Sequence, residues 1–229
     1  MKKLTKKSLR ELAVIMPQLS EVEQRDFVGG DVIVVDKDGH YLGGDASQFK
    51  EQIAGMGYDY EKVANDPTHT LWVIEKYSGS FDSCFLGDGS ITNNKESGSK
   101  DEFDFEGTGI NRDALRFLGE HTNVEWMMYE DMSGEYGRLQ TSHLSDGFHG
   151  MISSNMNGHT YTTAIHTHPE MEGKDPKPSK LDTSMTGAFI DAGFDKCMIY
   201  SAKTNSWVVY MGEKDKSKNE KYVKDVRWD

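Results

Sequence analysis

No run of 18 apolar residues occurs in this 229-residue chain, so no segment reads as a transmembrane helix. Cysteine is nearly absent. Cys84 and Cys197 stand too far apart for a CxxC zinc knuckle. A single disulfide between them is left open, and two partly buried free thiols are the expectation. Basic charge is also short: 26 Lys and Arg face 38 Asp and Glu, a formal net charge of −12. No basic stripe with interleaved aromatics offsets that balance, which argues against a nucleic-acid partner. No internal repeat is visible. What remains is 36% hydrophobic and 28% charged, the composition of a soluble globular protein long enough to bury a core without disulfides or metals.

The first thirty residues, MKKLTKKSLRELAVIMPQLSEVEQRDFVGG, differ from the rest. Leu4, Leu9, Leu12, Ala13, Ile15 and Met16 recur near helical spacing, Ser8 is a helix cap, and Pro17 ends or kinks that helix. Up to Gly30 there are six Lys or Arg against four Asp or Glu, a balance of +2 that leaves −14 for the remainder. An uninterrupted apolar core of 7–15 residues, as in a Sec signal peptide, is missing. LSEVEQRDFVGG, with Leu19, Val22, Phe27 and Val28 spaced ahead of Gly29-Gly30, resembles the double-glycine leaders of bacteriocin and peptide precursors. The resemblance implies docking on a peptidase-containing ABC transporter, cleavage after Gly30 and secretion from a bacterial cell. Two residues without Cβ suit entry of the backbone into a narrow cleft. An N-terminal helix of the folded domain followed by a Gly-Gly turn is the other reading, and Gly43-Gly44 is a second such pair.

Beyond Gly30, DVIVVDKDGHYLGGD predicts a β-hairpin turning at Asp38-Gly39. Asp36-Lys-Asp38-Gly39 lacks the downstream ligands of an EF-hand. A helix is predicted over 46–57 and a strand over 68–77, and the Gly-, Ser- and acid-rich stretch 87–109 reads as an exposed loop. NRDALRFLGEHT (111–122) has helical period, with Asn111 as N-cap. VEWMMYE, EYGRLQTSHL, HGMISS and HTYTTAIHTH read as extended. LDTSMTGAFIDAG reads as a helix from near Asp182 to Gly193, and KCMIYSA with SWVVYMG as a closing hairpin. The charged tail 213–229 is a solvated segment. This order predicts an α/β (α+β) class, a mixed β-sheet flanked by helices.

The chemistry concentrates in AIHTHPEMEGKDPKPSKLDTS, residues 164–184. Imidazoles at i and i+2 on a strand end point to one side, so His166 and His168 can face one ion. Asp182 would complete a three-ligand site of the kind that leaves a position for water. HxH alone is weak, since eight histidines make one by chance in roughly one such sequence in four, and the following Ser-x-x-Asp narrows it.

HTHP followed by SKLD resembles the signature of the JAMM (MPN+) zinc metallopeptidases, and the Val-Glu-Trp context of Glu125 is similar to their JAB-type toxin branch. The resemblance spans roughly residues 105–212 and implies a layered architecture shared with cytidine deaminases. It assigns Zn²⁺ ligands to His166, His168 and Asp182, and a transition-state hydrogen bond to Ser179. It makes Glu125, 41 residues before His166, the general base. In such a site zinc activates water and polarises the scissile carbonyl, while Glu125 carries the proton to the leaving amine. The step from His168 to Ser179 is about three residues longer than the family spacing, with EMEGK as the place of the insertion. Pro176 and Pro178 would stiffen the loop that delivers Ser179.

Glu130 and Glu135 are runner-up bases and Asp175 an alternative ligand or a turn residue. His143, His149 and His159 read as surface-loop residues, with a place behind the metal ligands or in the substrate site as the alternative, and Trp126, Met127 and Met128 as core or site rim. The expected organisation is a leader (1–30), a β-rich extension (31–104), a metallopeptidase domain (105–212) and the tail (213–229). The expected activity is peptide or isopeptide hydrolysis by a secreted toxin or effector, with a peptide or protein substrate and an immunity protein as partners. The rivals are a binding module that keeps the fold without turnover and another zinc hydrolase. The absence of Pro-Cys-x-x-Cys argues against a deaminase.

Overall fold

The structure, a computed structural model, describes residues 31–77, 79–96, 103–148, 150, 152–169 and 178–211. Gly29, Gly30 and the whole 1–30 segment, His149, Asp175, Pro176 and the 213–229 tail lie outside the described residues.

The first hairpin forms as its sequence predicts. β1 (Asp31–Asp36) pairs antiparallel with β2 (Tyr41–Gly43), and Gly39 takes the turn at φ 79°. The Asp36 carboxylate accepts from the N–H groups of Asp38 and His40, both at 2.9 Å, which ties the turn. A 3-10 turn capped by Asp45 (Ala46–Phe49) leads into α1 (Lys50–Gly55), and α2 (Tyr60–Ala64) follows, capped by Asp59. β3 (His69–Tyr77) then runs parallel to β1, and β4 (Ser80–Asp88) antiparallel to β3. The order of this sheet is β2-β1-β3-β4. Alternation along β1 and β3 splits its faces. Val34, Leu71 and Val73 pack under Phe49, Ile53 and Val63 of the helical segment, while Ile33, Val35, Trp72 and Ile74 face the rest of the molecule.

The stretch 87–109 is not the exposed loop its composition suggests. β5 (Ile91–Glu96) and β6 (Phe103–Gly107) pair antiparallel and join a second, larger sheet. Phe105 is wholly buried on one face of it, and Asp104 and Glu106 are buried on the other, where Arg138 and Tyr161 donate hydrogen bonds to their carboxylates. The remaining strands are β7 (Trp126–Asp131), β8 (Gly137–Thr141), β9 (Asn155–Met156), β10 (His159–His168), β11 (Lys196–Ser201) and β12 (Ser206–Met211). Their order is β12-β11-β10-β7-β8-β6-β5, with β9 paired to β10. β10 and β11 run parallel and the other pairs antiparallel. The class is therefore α+β, with two mixed sheets where one was expected.

Two helices sandwich the larger sheet. α3 (Arg112–His121) starts where expected, with the Asn111 side chain accepting from Ala114 N–H at 2.9 Å. Its Leu115 and Leu118 join Phe105, Trp126, Met128, Ile165 and Met198 in a core cluster that also contains Ile33 and Trp72 of the smaller sheet. The buried core thus runs continuously across the expected 104/105 boundary. Side chains of this size contribute about 1.5–3 kcal/mol each on full burial. Gly119 lets α3 lie close to the strand of the two histidines, since a Cβ there would come within 2.9 Å of Thr167 Cγ2. The opposite face, with Met127, Tyr129, Ala164 and Ile199, is covered by α4 (Lys180–Asp191) through Phe189.

Candidate metal centre

β10 ends in Ile165-His166-Thr167-His168, flanked on both sides by β7 and β11 and therefore interior to the sheet. Period 2 sends Ile165 and Thr167 to the α3 side and both imidazoles to the α4 side. His166 lies across from Met127 in the antiparallel register, and the same register continued by two residues sets Glu125 across from His168. Both histidines are buried, at 4% and 6% exposure.

α4 delivers the third group. Its start lies two residues earlier than its apolar pattern suggests, because Ser179 and Asp182 form a reciprocal capping box. Ser179 N–H donates to Asp182 Oδ2 at 2.6 Å, and Asp182 N–H donates to Ser179 Oγ at 3.1 Å. The carboxylate is thereby held over the sheet. Asp182 Oδ1 stands 3.2 Å from His166 Nε2, Oδ2 stands 3.6 Å from His168 Nε2, and the two Nε2 atoms are 3.2 Å apart. Burial works against the Asp182 charge, but hydrogen bonding to His166 and His168, the His166 charge and Ser179 together hold its carboxyl well below the usual range.

Two imidazole nitrogens and a carboxylate aimed at one point form a donor set suited to a first-row divalent ion. With metal–ligand lengths of about 2.0–2.1 Å, tetrahedral ligand atoms stand about 3.3–3.4 Å apart. The two imidazole nitrogens, 3.2 Å apart, lie close to that spacing, and each has a different oxygen of the Asp182 carboxylate 3.2–3.6 Å away, so the donor set suits such an ion after a small adjustment of the carboxylate. If both Nε2 atoms bind, each Nδ1 carries the proton. His168 Nδ1 is buried with no hydrogen-bond partner among the described residues, so packing orients that ring.

Glu125 immediately precedes β7 and is buried at 7% exposure. Its N–H donates to Leu144 O at 2.8 Å, and its carbonyl accepts from Thr141 Oγ1 at 2.9 Å. The next N–H, of Trp126, donates to Thr167 Oγ1 at 2.9 Å, which locks this strand start against the His-x-His segment. Glu125, His166, His168, Ser179 and Asp182 all line one pocket of about 450 Å³. Pro178, from the loop expected to be stiffened by prolines, is buried on its wall.

The runner-up residues lie elsewhere. Glu130 is paired to Arg112 at 2.7 Å, and Glu135 is exposed. His143 stacks on His40 with ring centroids 4.2 Å apart, and His159 on Tyr136 at 3.8 Å. Both cysteines are free, Cys84 half-buried in the smaller sheet and Cys197 buried in the larger. The pocket also gathers Asp146, Phe148, Met185 and Tyr210, which the sequence alone did not single out. No family model, curated protein or solved structure matches this chain.

Proposed function

We propose that the chain is a JAMM-like zinc metallopeptidase that hydrolyses peptide or isopeptide bonds, with His166, His168 and Asp182 as ligands. The observation that carries this reading is the convergence of two buried imidazoles and the Asp182 carboxylate, with Glu125 lining the same pocket. A zinc ion held there would supply Lewis acidity, lowering the pKa of water and polarising a carbonyl. Glu125 accepts the proton of the attacking water on a carboxylate oxygen and returns it to the leaving nitrogen. Ser179 Oγ keeps a hydroxyl proton while accepting from Asp182 N–H, so it can donate to the developing oxyanion. The surrounding apolar wall excludes water and strengthens each of these interactions.

The proposal extends to export as a toxin or effector after cleavage at Gly30, supported by the double-glycine pattern of the first thirty residues. The exported protein should then begin at Asp31 by intact mass; a full-length exported form would refute that step.

Purified protein should hold one zinc per chain by elemental analysis and lose it in His166→Ala and Asp182→Asn. Glu125→Gln should keep the metal and lose peptide hydrolysis by about 100-fold or more. A chain that cleaves peptides equally well without metal, or with Glu125→Gln, would overturn the reading.

A further inference from the structure

The pocket beside the three ligands has walls of a definite character. Asp182, Met185 and Phe189 follow one another at i, i+3 and i+7 on α4, so an apolar stripe starts at the ligand and runs along the helix. Phe148 and Ile152, from the segment after β8, and Met127 on β7 line the same pocket and pack in the same apolar cluster. Leu181, 58% exposed, stands at the mouth next to the ligand Asp182.

The charges are one-sided. Glu125, Asp146 and Asp182 line the pocket, and among the described residues no lysine or arginine does. Asp146 is exposed, and the chain as a whole carries −12. A bulky apolar side chain meets complementary walls, and a basic neighbour at the mouth meets Asp146. The volume of about 450 Å³ holds a side chain of phenylalanine size together with adjoining backbone.

Resting on the hydrolase reading above, we propose that this groove selects peptide segments in which a bulky apolar residue adjoins a basic one. Met185, Phe189, Phe148 and Ile152 receive the apolar side chain, and Asp146 receives the basic one.

The test reads binding rather than turnover. Full-length protein carrying Glu125→Gln is titrated, with added Zn²⁺ and again with chelator, against fluorescent capped hexapeptides centred on Lys-Phe, Lys-Ala or Glu-Phe. Replacing Phe by Ala should weaken binding about tenfold or more. Replacing Lys by Glu should weaken it as well. Adding Asp146→Lys, an exposed position where folding can be checked by circular dichroism, should reverse the Lys-over-Glu order and leave the Phe preference in place. Equal binding of the Phe and Ala peptides overturns the proposal. So does an unchanged Lys preference in the Asp146→Lys protein, or equally tight binding of a medium-chain fatty acid. A chain without hydrolytic activity can still show this selectivity, and a zinc hydrolase can lack it, so the two readings fail separately.

Discussion

At the scale of single residues, the candidate site is set by how burial and hydrogen bonds compete over each ionisable group. Asp182 keeps its charge because two imidazoles and the Ser179 N–H face it. A few ångströms deeper the balance runs the other way. Tyr210, whose ring lies 6.0 Å edge-on from His166, is raised well above its ordinary value by burial and by nearby Cys197. Burial also pushes the Cys197 thiol up to about 12, and the nearby Asp182 charge works in the same direction. Cys84 is half-buried and also raised by burial, but it is reached from solvent. A thiol reagent at neutral pH is therefore expected to label Cys84 in the folded protein and Cys197 only on unfolding. The difference in rate should exceed roughly tenfold by peptide mass mapping. Labelling of both at one rate would mean that the floor beneath the histidines is open.

At the scale of elements, the first turn of α4 joins helix stability to ligand placement. Replacing Ser179 by Ala removes the acceptor for Asp182 N–H. The helix should lose about 1 kcal/mol, seen as a shifted urea midpoint. Zinc affinity should fall by about 10–100-fold in a competition titration, because the carboxylate is less firmly held. Ser179→Thr keeps the oxygen and should restore both; an alanine protein unchanged in both measures would detach the cap from the site. Ser-x-x-Asp carries both meanings in the sequence, as a ligand spacing and as a capping box. Reading only the first sets the helix start near 182 instead of 180. The elements that were legible carry local signals: the Asp-Gly turn of β1–β2, the Asn111 cap of α3, and the alternation of β10 that sends both histidines to one face. β4 and α2 have weaker patterns that carry no clear strand or helix signal in the sequence. β5 and β6 were hidden by Asp104 and Glu106, whose charges imply solvent unless their partners on distant strands are known. Asp146 and Phe148, after β8, and Tyr210, on β12, reach the pocket from segments far apart in the chain, and no local spacing announces such a meeting.

At the scale of the whole molecule, those two carboxylates anchor the half of the larger sheet away from the histidines. Glu106 on β6 accepts from Tyr161 OH on β10 at 2.5 Å, from Asn157 Nδ2 at 2.7 Å and from Asn93 Nδ2 on β5 at 3.3 Å. Asp104, two residues earlier, pairs with Arg138 of β8, whose Nε donates at 2.7 Å. One polar network thus ties β5, β6, β8 and β10, and β10 carries the histidines at its far end. The two acids titrate in opposite directions. Burial raises Glu106, but the hydrogen bonds from Tyr161, Asn157 and Asn93 and the Arg138 charge outweigh it and hold its pKa below 4.5. Asp104 stays above 3.8 because burial outweighs Arg138. A lowered carboxyl stabilises the fold at pH above its unfolded value, and that contribution is lost as pH falls through the folded one. A raised carboxyl does the reverse, so Asp104 offsets part of the acid loss. Glu106→Gln keeps the shape and removes the charge. It is expected to cost about 1.5–3 kcal/mol at neutral pH, the worth of hydrogen bonds to a charged group. It should also flatten the fall in stability below pH 4.5, measured as urea unfolding free energy at successive pH values. An acid limb as steep in the glutamine protein as in the parent would move the acid-sensitive group elsewhere. Loss of zinc affinity in the same variant would show that the network governs the register of β10 at the histidines as well as the stability of the sheet.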